Sequence, residues 1–90
     1  MTITNLFDEI EVLCRNNNVE HLYLIGSYAS GTYTGTSDID MMVTGLKDLG
    51  KLREEIDRIP TLKKIDIINY ETCTNKEFIQ SVKEHGRQIY

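Results

Sequence analysis

The pattern of apolar residues predicts a mixed α/β (α+β) fold, a small mixed β-sheet with helices packed on it. Three observations carry that expectation. Helix-spaced apolar stretches alternate with short strand-like runs. One connection between strand-like runs is long and helical, whereas another is short and built from small polar residues. The 90 residues hold 40% hydrophobic side chains and a single proline, which suits one core and one domain spanning residues 1–90.

Ile3, Leu6, Phe7, Ile10, Leu13 and Cys14 recur at helical spacing and predict a first helix, ended by Asn16-Asn17-Asn18. Asp8 and Glu9 fall early in it, where a helix dipole favours acids. His21-Leu22-Tyr23-Leu24-Ile25 is a nearly continuous apolar run stopped by Gly26, which reads as a buried strand. Residues 26–37 are small and polar, with room for one helical turn over Tyr28 to Ser30. Asp38 to Thr44 predicts a second strand, with Asp38, Asp40 and Met42 on one face and Ile39, Met41 and Val43 on the other. Leu46, Leu49, Leu52, Ile56 and Ile59 predict a second long helix, halted by Pro60. Lys63 to Asn69 predicts a third strand, with Lys64, Asp66 and Ile68 sharing a face. Thr74 to Glu77 reads as a capping box for a last helix with Phe78, Ile79 and Val82 on its apolar side. Gly86 is its expected stop, and Gln88 to Tyr90 an expected edge strand. Tyr90 is expected to pack on that last helix.

Connection lengths restrict the topology. The helical link between the second and third strands suits a parallel crossover. The dozen polar residues between the first two suit an antiparallel pair. Gly26 and Ser27 would then lie beside Asp38 and Asp40, with Asp66 level with Asp40 if the second and third strands are neighbours.

Charge and cysteine usage narrow the function classes. Ten Lys+Arg against fourteen Asp+Glu leave a net charge of −4, which argues against direct nucleic-acid binding through a basic footprint. Cys14 falls on an apolar stripe and Cys73 in a polar stretch; they are no disulfide framework, and neither stands at zinc-site spacing to another Cys or a His. Met1-Thr2-Ile3-Thr4-Asn5 lacks the basic start and apolar segment of a signal peptide. No apolar run nears the ~18 residues of a membrane span. A cytoplasmic location is therefore expected. A core this small is compatible with association into an oligomer or with another chain.

The chemistry concentrates where Gly26-Ser27, Asp38, Asp40 and Asp66 meet. Asp disfavours strands, and three on one sheet face break a local rule without structural gain, as functional sites do. Side chains two residues apart on a strand sit ~7 Å apart at Cα, a spacing at which carboxylates bridge two divalent ions. Their hard oxygens suit magnesium or manganese. The Gly-Ser turn offers N–H donors and a hydroxyl for phosphate oxygens. Taken singly, a Gly-Ser pair is usually a turn and an Asp-x-Asp a solvated strand face. The combination carries the weight. His21 and His85 are expected to be structural or exposed. Tyr28 and Tyr33 have two readings, stacking on a base or packing within the loop.

Gly26-Ser27-Tyr28-Ala29-Ser30-Gly31, then Ser37-Asp38-Ile39-Asp40, then Asp66, resemble the motif set of the DNA polymerase β-like nucleotidyltransferase superfamily. The likeness covers nearly the whole chain and is greatest to the minimal nucleotidyltransferase antitoxins that pair with HEPN-domain toxins. The resemblance implies a palm-like nucleotidyltransferase core. It implies that Asp38 and Asp40 hold two Mg2+ ions, with Mn2+ the alternative. Asp66 would complete the metal site and help activate the attacking hydroxyl, making all three carboxylates catalytic. Gly26, Ser27 and Ser37 would bind the nucleoside triphosphate. ATP is the implied donor, a tyrosine hydroxyl of the HEPN-type toxin the implied acceptor, and pyrophosphate the implied product. One position departs from the pattern: where these proteins commonly carry a basic residue before the second loop glycine, Ser30 stands here. Lys47, Lys63 and Lys64 are the lysines available to replace that cation. The departure leaves a second expectation open, an antitoxin that neutralises its partner by contact with little or no catalysis.

Overall fold

The computed structural model describes residues 2–90. In chain order the elements are α1 (Ile3–Asn16), β1 (His21–Ile25), α2 (Gly26–Ser30), β2 (Ile39–Thr44), α3 (Leu49–Asp57), β3 (Ile65–Asn69), α4 (Lys76–His85) and β4 (Arg87–Gln88), with a 3-10 turn over Tyr70–Thr72. The four-stranded sheet has the order β3-β2-β1-β4. β1 is antiparallel to β2, and β2 is parallel to β3, as the connection lengths predict; β4 adds antiparallel to β1.

One face of the sheet makes the core. Leu22 and Leu24 of β1 and Ile39, Met41 and Val43 of β2 all point to it and are buried. α1 covers that face with Leu6, Ile10 and Cys14, and α3 with Leu52 and Ile56. Cys14 packs there as a small hydrophobe; burial, with Glu11 nearby, pushes its thiol pKa up to about 12. Arg53 of α3 donates to the carbonyl of Ile65, tying the helix to the edge strand β3.

The structure corrects several local expectations. α1 starts at Ile3 behind an N-cap by Thr2, so Asp8 and Glu9 lie past its first turn, outside the strongest part of the dipole. α3 starts at Leu49 because Asp48 caps it, accepting from the Lys51 amide at 3.0 Å. Leu46 and Ile59 are buried just outside its ends. β3 begins at Ile65, leaving Lys63 and Lys64 in the lead-in. The cap of α4 is Asn75, bonded to the Phe78 amide at 3.0 Å, rather than a box built on Thr74. Tyr90 packs on α1 and not on α4: its hydroxyl donates to the Val19 carbonyl at 3.1 Å and Arg15 lies 3.9 Å over its ring. The cause is topological, since the terminal strand adds to β1 beside the end of α1. No helix among the described residues is long and apolar enough to cross a membrane.

Candidate active site

The second face of the sheet carries the carboxylates. Parallel pairing sets Asp40 of β2 directly beside Asp66 of β3, and antiparallel pairing sets Ile25 of β1 on Asp40's other side. Neighbouring strands lie ~4.8 Å apart, so the two carboxylates share one row. Gly26 follows Ile25 and closes over that row. Its φ is +68°, and a Cβ there would stand 2.8 Å from Oδ2 of Asp40. Only glycine serves both demands, and it leaves the space above Asp40 open. Gly26 and Ser27 form the head of α2, where no side chain caps the first amides. Gly31, in a left-handed conformation, ends that short helix.

Asp38 lies one residue outside β2 and is exposed, whereas the alternation pattern places it within the strand. The ladder starts only at Ile39, whose amide donates to the Lys64 carbonyl at 2.9 Å. Asp38 therefore hangs from the loop before the strand.

The row is electrostatically frustrated. Partial burial raises the pKa of Asp40 above the usual carboxylate range, and the charges of Asp66 and Asp38 raise it further. Lys64 opposes this, its ammonium standing 4.0 Å from Asp66. Among the described residues no three His, Cys, Asp or Glu side chains are already closed around one point as a metal site. The donor chemistry nevertheless fits a hard divalent cation: clustered carboxylate oxygens, mutually repelling, beneath a glycine that keeps their approach clear.

The loop residues divide. Ser37 takes the Thr34 amide on its hydroxyl oxygen at 2.8 Å, so that oxygen already serves the loop. Ser30 is engaged with the Gly26 and Ser27 carbonyls and the Thr32 hydroxyl. Tyr28 and Tyr33 stack on each other, with ring centroids 4.4 Å apart, and Tyr28 meets Phe7 edge-on. Loop packing, not an open platform for a base, is what these rings do. His21 is half-exposed beside Gln88 at 3.3 Å.

Sequence reasoning missed the ground next to the row. On the same face Met42, Thr44 and Tyr23 line a groove of about 650 Å³ whose far wall is Ile79, Val82 and Lys83 of α4. No residue of α4 is fully buried. Strand alternation places Met42 on Asp40's face, but the apolar stripe of α4 does not by itself show that it borders a groove there.

Comparison with known proteins agrees with this geometry. Residues 8–90 match the family model described as polymerase beta, nucleotidyltransferase. A chain of a toxin–antitoxin complex crystallised with AMP-PNP is similar over 92% of this chain and 71% of its own, at 26% identity and a TM-score of 0.71. A chain of a MntA–HpeT toxin–antitoxin complex carrying two Asp-to-Glu substitutions covers the same shares, at 25% identity and a TM-score of 0.74. A proposed nucleotidyltransferase from Sulfolobus solfataricus shares the fold, at 24% identity and a TM-score of 0.57 over 96% of this chain and 78% of that one. No curated protein matches significantly. With the family model spanning almost all of the sequence, and the Gly-Ser turn and paired aspartates in register on the sheet, the chain belongs to the polymerase β nucleotidyltransferase family.

Proposed function

We propose that this chain, as a single domain, transfers AMP from ATP to a tyrosine hydroxyl of a HEPN-type toxin and so acts as that toxin's cytoplasmic antitoxin. The observation that carries the reading is the row formed by Asp40 and Asp66 beneath Gly26. The family and the likeness to toxin–antitoxin chains support it.

Each residue then has a task. Asp38, Asp40 and Asp66 would hold Mg2+, or Mn2+ in its place, and two ions are expected. When bound, the metal neutralises phosphate charge and draws electron density from the α-phosphorus. Gly26 and Ser27 offer amides and a hydroxyl to the triphosphate, and the Ser37 hydroxyl retains its proton to donate alongside them. Asp66 receives the proton of the attacking hydroxyl as its oxygen bonds to the α-phosphorus. The bond from that phosphorus to the bridging oxygen breaks, and pyrophosphate leaves. Positioning and charge supply most of such a reaction.

A second reading has one observation in its favour. Ser30 gives α2 no cation, and its hydroxyl is occupied locally. On that reading the chain neutralises its partner by contact, with weak or no transfer. One experiment separates the two: incubation of the partner with ATP labelled in its α-phosphate, Mg2+, and either wild type or Asp40→Asn. Label on the partner with wild type alone supports transfer. A partner that is bound and neutralised equally by both proteins, without label, selects the contact reading.

A further inference from the structure

Two of the three aspartates lie within the sheet, whereas Asp38 is joined to it only through the next residue, Ile39, whose amide donates to the Lys64 carbonyl. Asp40 and Asp66 sit in paired strands. Asp38 is exposed and closes the loop over residues 31–37. Most bonds in that loop are local: Thr32 to Ser27, and Thr34 to Ser37 in both directions. Local turns shape the loop without fixing it to the rest of the molecule. Two contacts do fix it. Tyr33 stacks on Tyr28, five positions before Asp38. Closer to Asp38, the Lys63 ammonium donates to the Gly35 carbonyl at 2.9 Å. Among the described residues this is the only hydrogen bond to the loop from a distant segment.

We propose that Lys63 is a positioning residue for Asp38, tethering the loop so that the exposed carboxylate is held in register with Asp40 and Asp66. The proposal rests on the reading of the row as a metal and nucleotide site. Lys63 stands in the lead-in to β3, three residues before Asp66, so one short segment sets the position of both outer carboxylates. Its ammonium lies 5.6 Å from the Tyr28 ring centroid, on the packed side of the loop. That placement separates it from its neighbour Lys64, which stands against Asp66 instead. Adjacent lysines thus do different work: one orders the loop, the other offsets carboxylate charge. A ligand on an untethered loop must be ordered when the ion binds, and the ordering entropy reduces affinity.

The test uses the full chain. Lys63→Met keeps an apolar stem beside Tyr28 and removes the donor; Lys63→Arg keeps a donor. In metal-free protein, amide hydrogen exchange at residues 35–38 should quicken in Lys63→Met. With a non-hydrolysable ATP analogue present, its half-saturating Mg2+ concentration should rise roughly 3–10-fold, the net worth of one solvent-exposed hydrogen bond. Lys63→Arg should restore most of both. Unchanged exchange together with an unchanged Mg2+ requirement overturns the tether. So does a loss of tripolyphosphate binding in Lys63→Met with the Mg2+ requirement unaltered, which would make Lys63 a phosphate contact. A wild type with no Mg2+ response at all overturns the metal reading of the row, and the proposal with it.

Discussion

The two faces of this four-stranded sheet share their strands and obey opposite rules. On the helix-covered face, alternate residues are aliphatic and fully enclosed: Leu22, Leu24, Ile39, Met41 and Val43 meet α1 and α3. On the other, Asp40 and Asp66 stand side by side, Gly26 leaves a gap above them, and α4 borders an open groove. The helix-covered face supplies the apolar burial that makes the fold stable. That surplus lets the other face carry like charges and unfilled space, which contribute nothing to folding. Strand alternation is what keeps the two roles apart within single strands.

Mutations on each face should therefore fail in different ways. The largest expected effect is on chemistry. Asp40→Asn should lower the proposed AMP transfer roughly 10²–10³-fold, the usual scale for removing one electrostatic group from an active site. Its circular dichroism should match wild type. A parallel loss of structure would break the division between the faces.

Next comes the pair Met41 and Met42, which are adjacent in sequence, almost equally buried, and on opposite faces. Met41→Ala opens a cavity inside the main core and should cost about 2–5 kcal/mol in denaturant unfolding. Met42 lies outside that core cluster and beside the groove, where neighbours and water can adjust. Met42→Ala should cost less, near the low end of that range at about 2 kcal/mol, because the penalty depends on how far the site can collapse. Equal costs would mean that the groove face is packed as the core is.

The smallest effect concerns pH. Asp40 in the folded protein binds its proton more tightly than in the unfolded chain, because burial and the charges of Asp66 and Asp38 disfavour its anion. The folded state therefore carries more protons as the group titrates, and stability falls with rising pH. In metal-free protein this contribution should be present below about pH 4 and lost as pH climbs through the raised folded pKa. Asp40→Asn should remove that part of the slope, which melting curves across the range would reveal.

Much of this arrangement was legible before any coordinates. The lengths of two connections indicate which strands run parallel; Asp66 comes level with Asp40 only because β2 and β3 are also neighbours, which connection length leaves open. Local chemistry identified most elements, since strand alternation and helix periodicity survive folding. What remained hidden depended on tertiary placement. Nothing in the lead-in to β3 announces that Lys63 reaches a carbonyl 28 positions away. Tyr90 reads as a residue near the last helix, yet β4 runs along β1 and carries the chain that follows it to the end of α1. Asp38 reads as part of β2 because periodicity ignores where the ladder's first hydrogen bond forms. The apolar stripe of α4 is legible as a face, but amphipathicity does not say what covers it, and no residue of α4 is fully buried.

The central claim is that the aspartate row is a metal and nucleotide site and not an incidental cluster. Melting temperatures of wild type and Asp40→Asn, each in chelator and in Mg2+ with a non-hydrolysable ATP analogue, test it most directly. Opposed like charges on neighbouring strands cost roughly 0.2–1 kcal/mol. In a domain of this size that is ~1–6 °C. A crossover is expected: Asp40→Asn melts a few degrees higher than wild type in chelator, and lower than wild type once metal and nucleotide are present. Two proteins that keep the same order in both conditions, neither stabilised by the ligands, would contradict it.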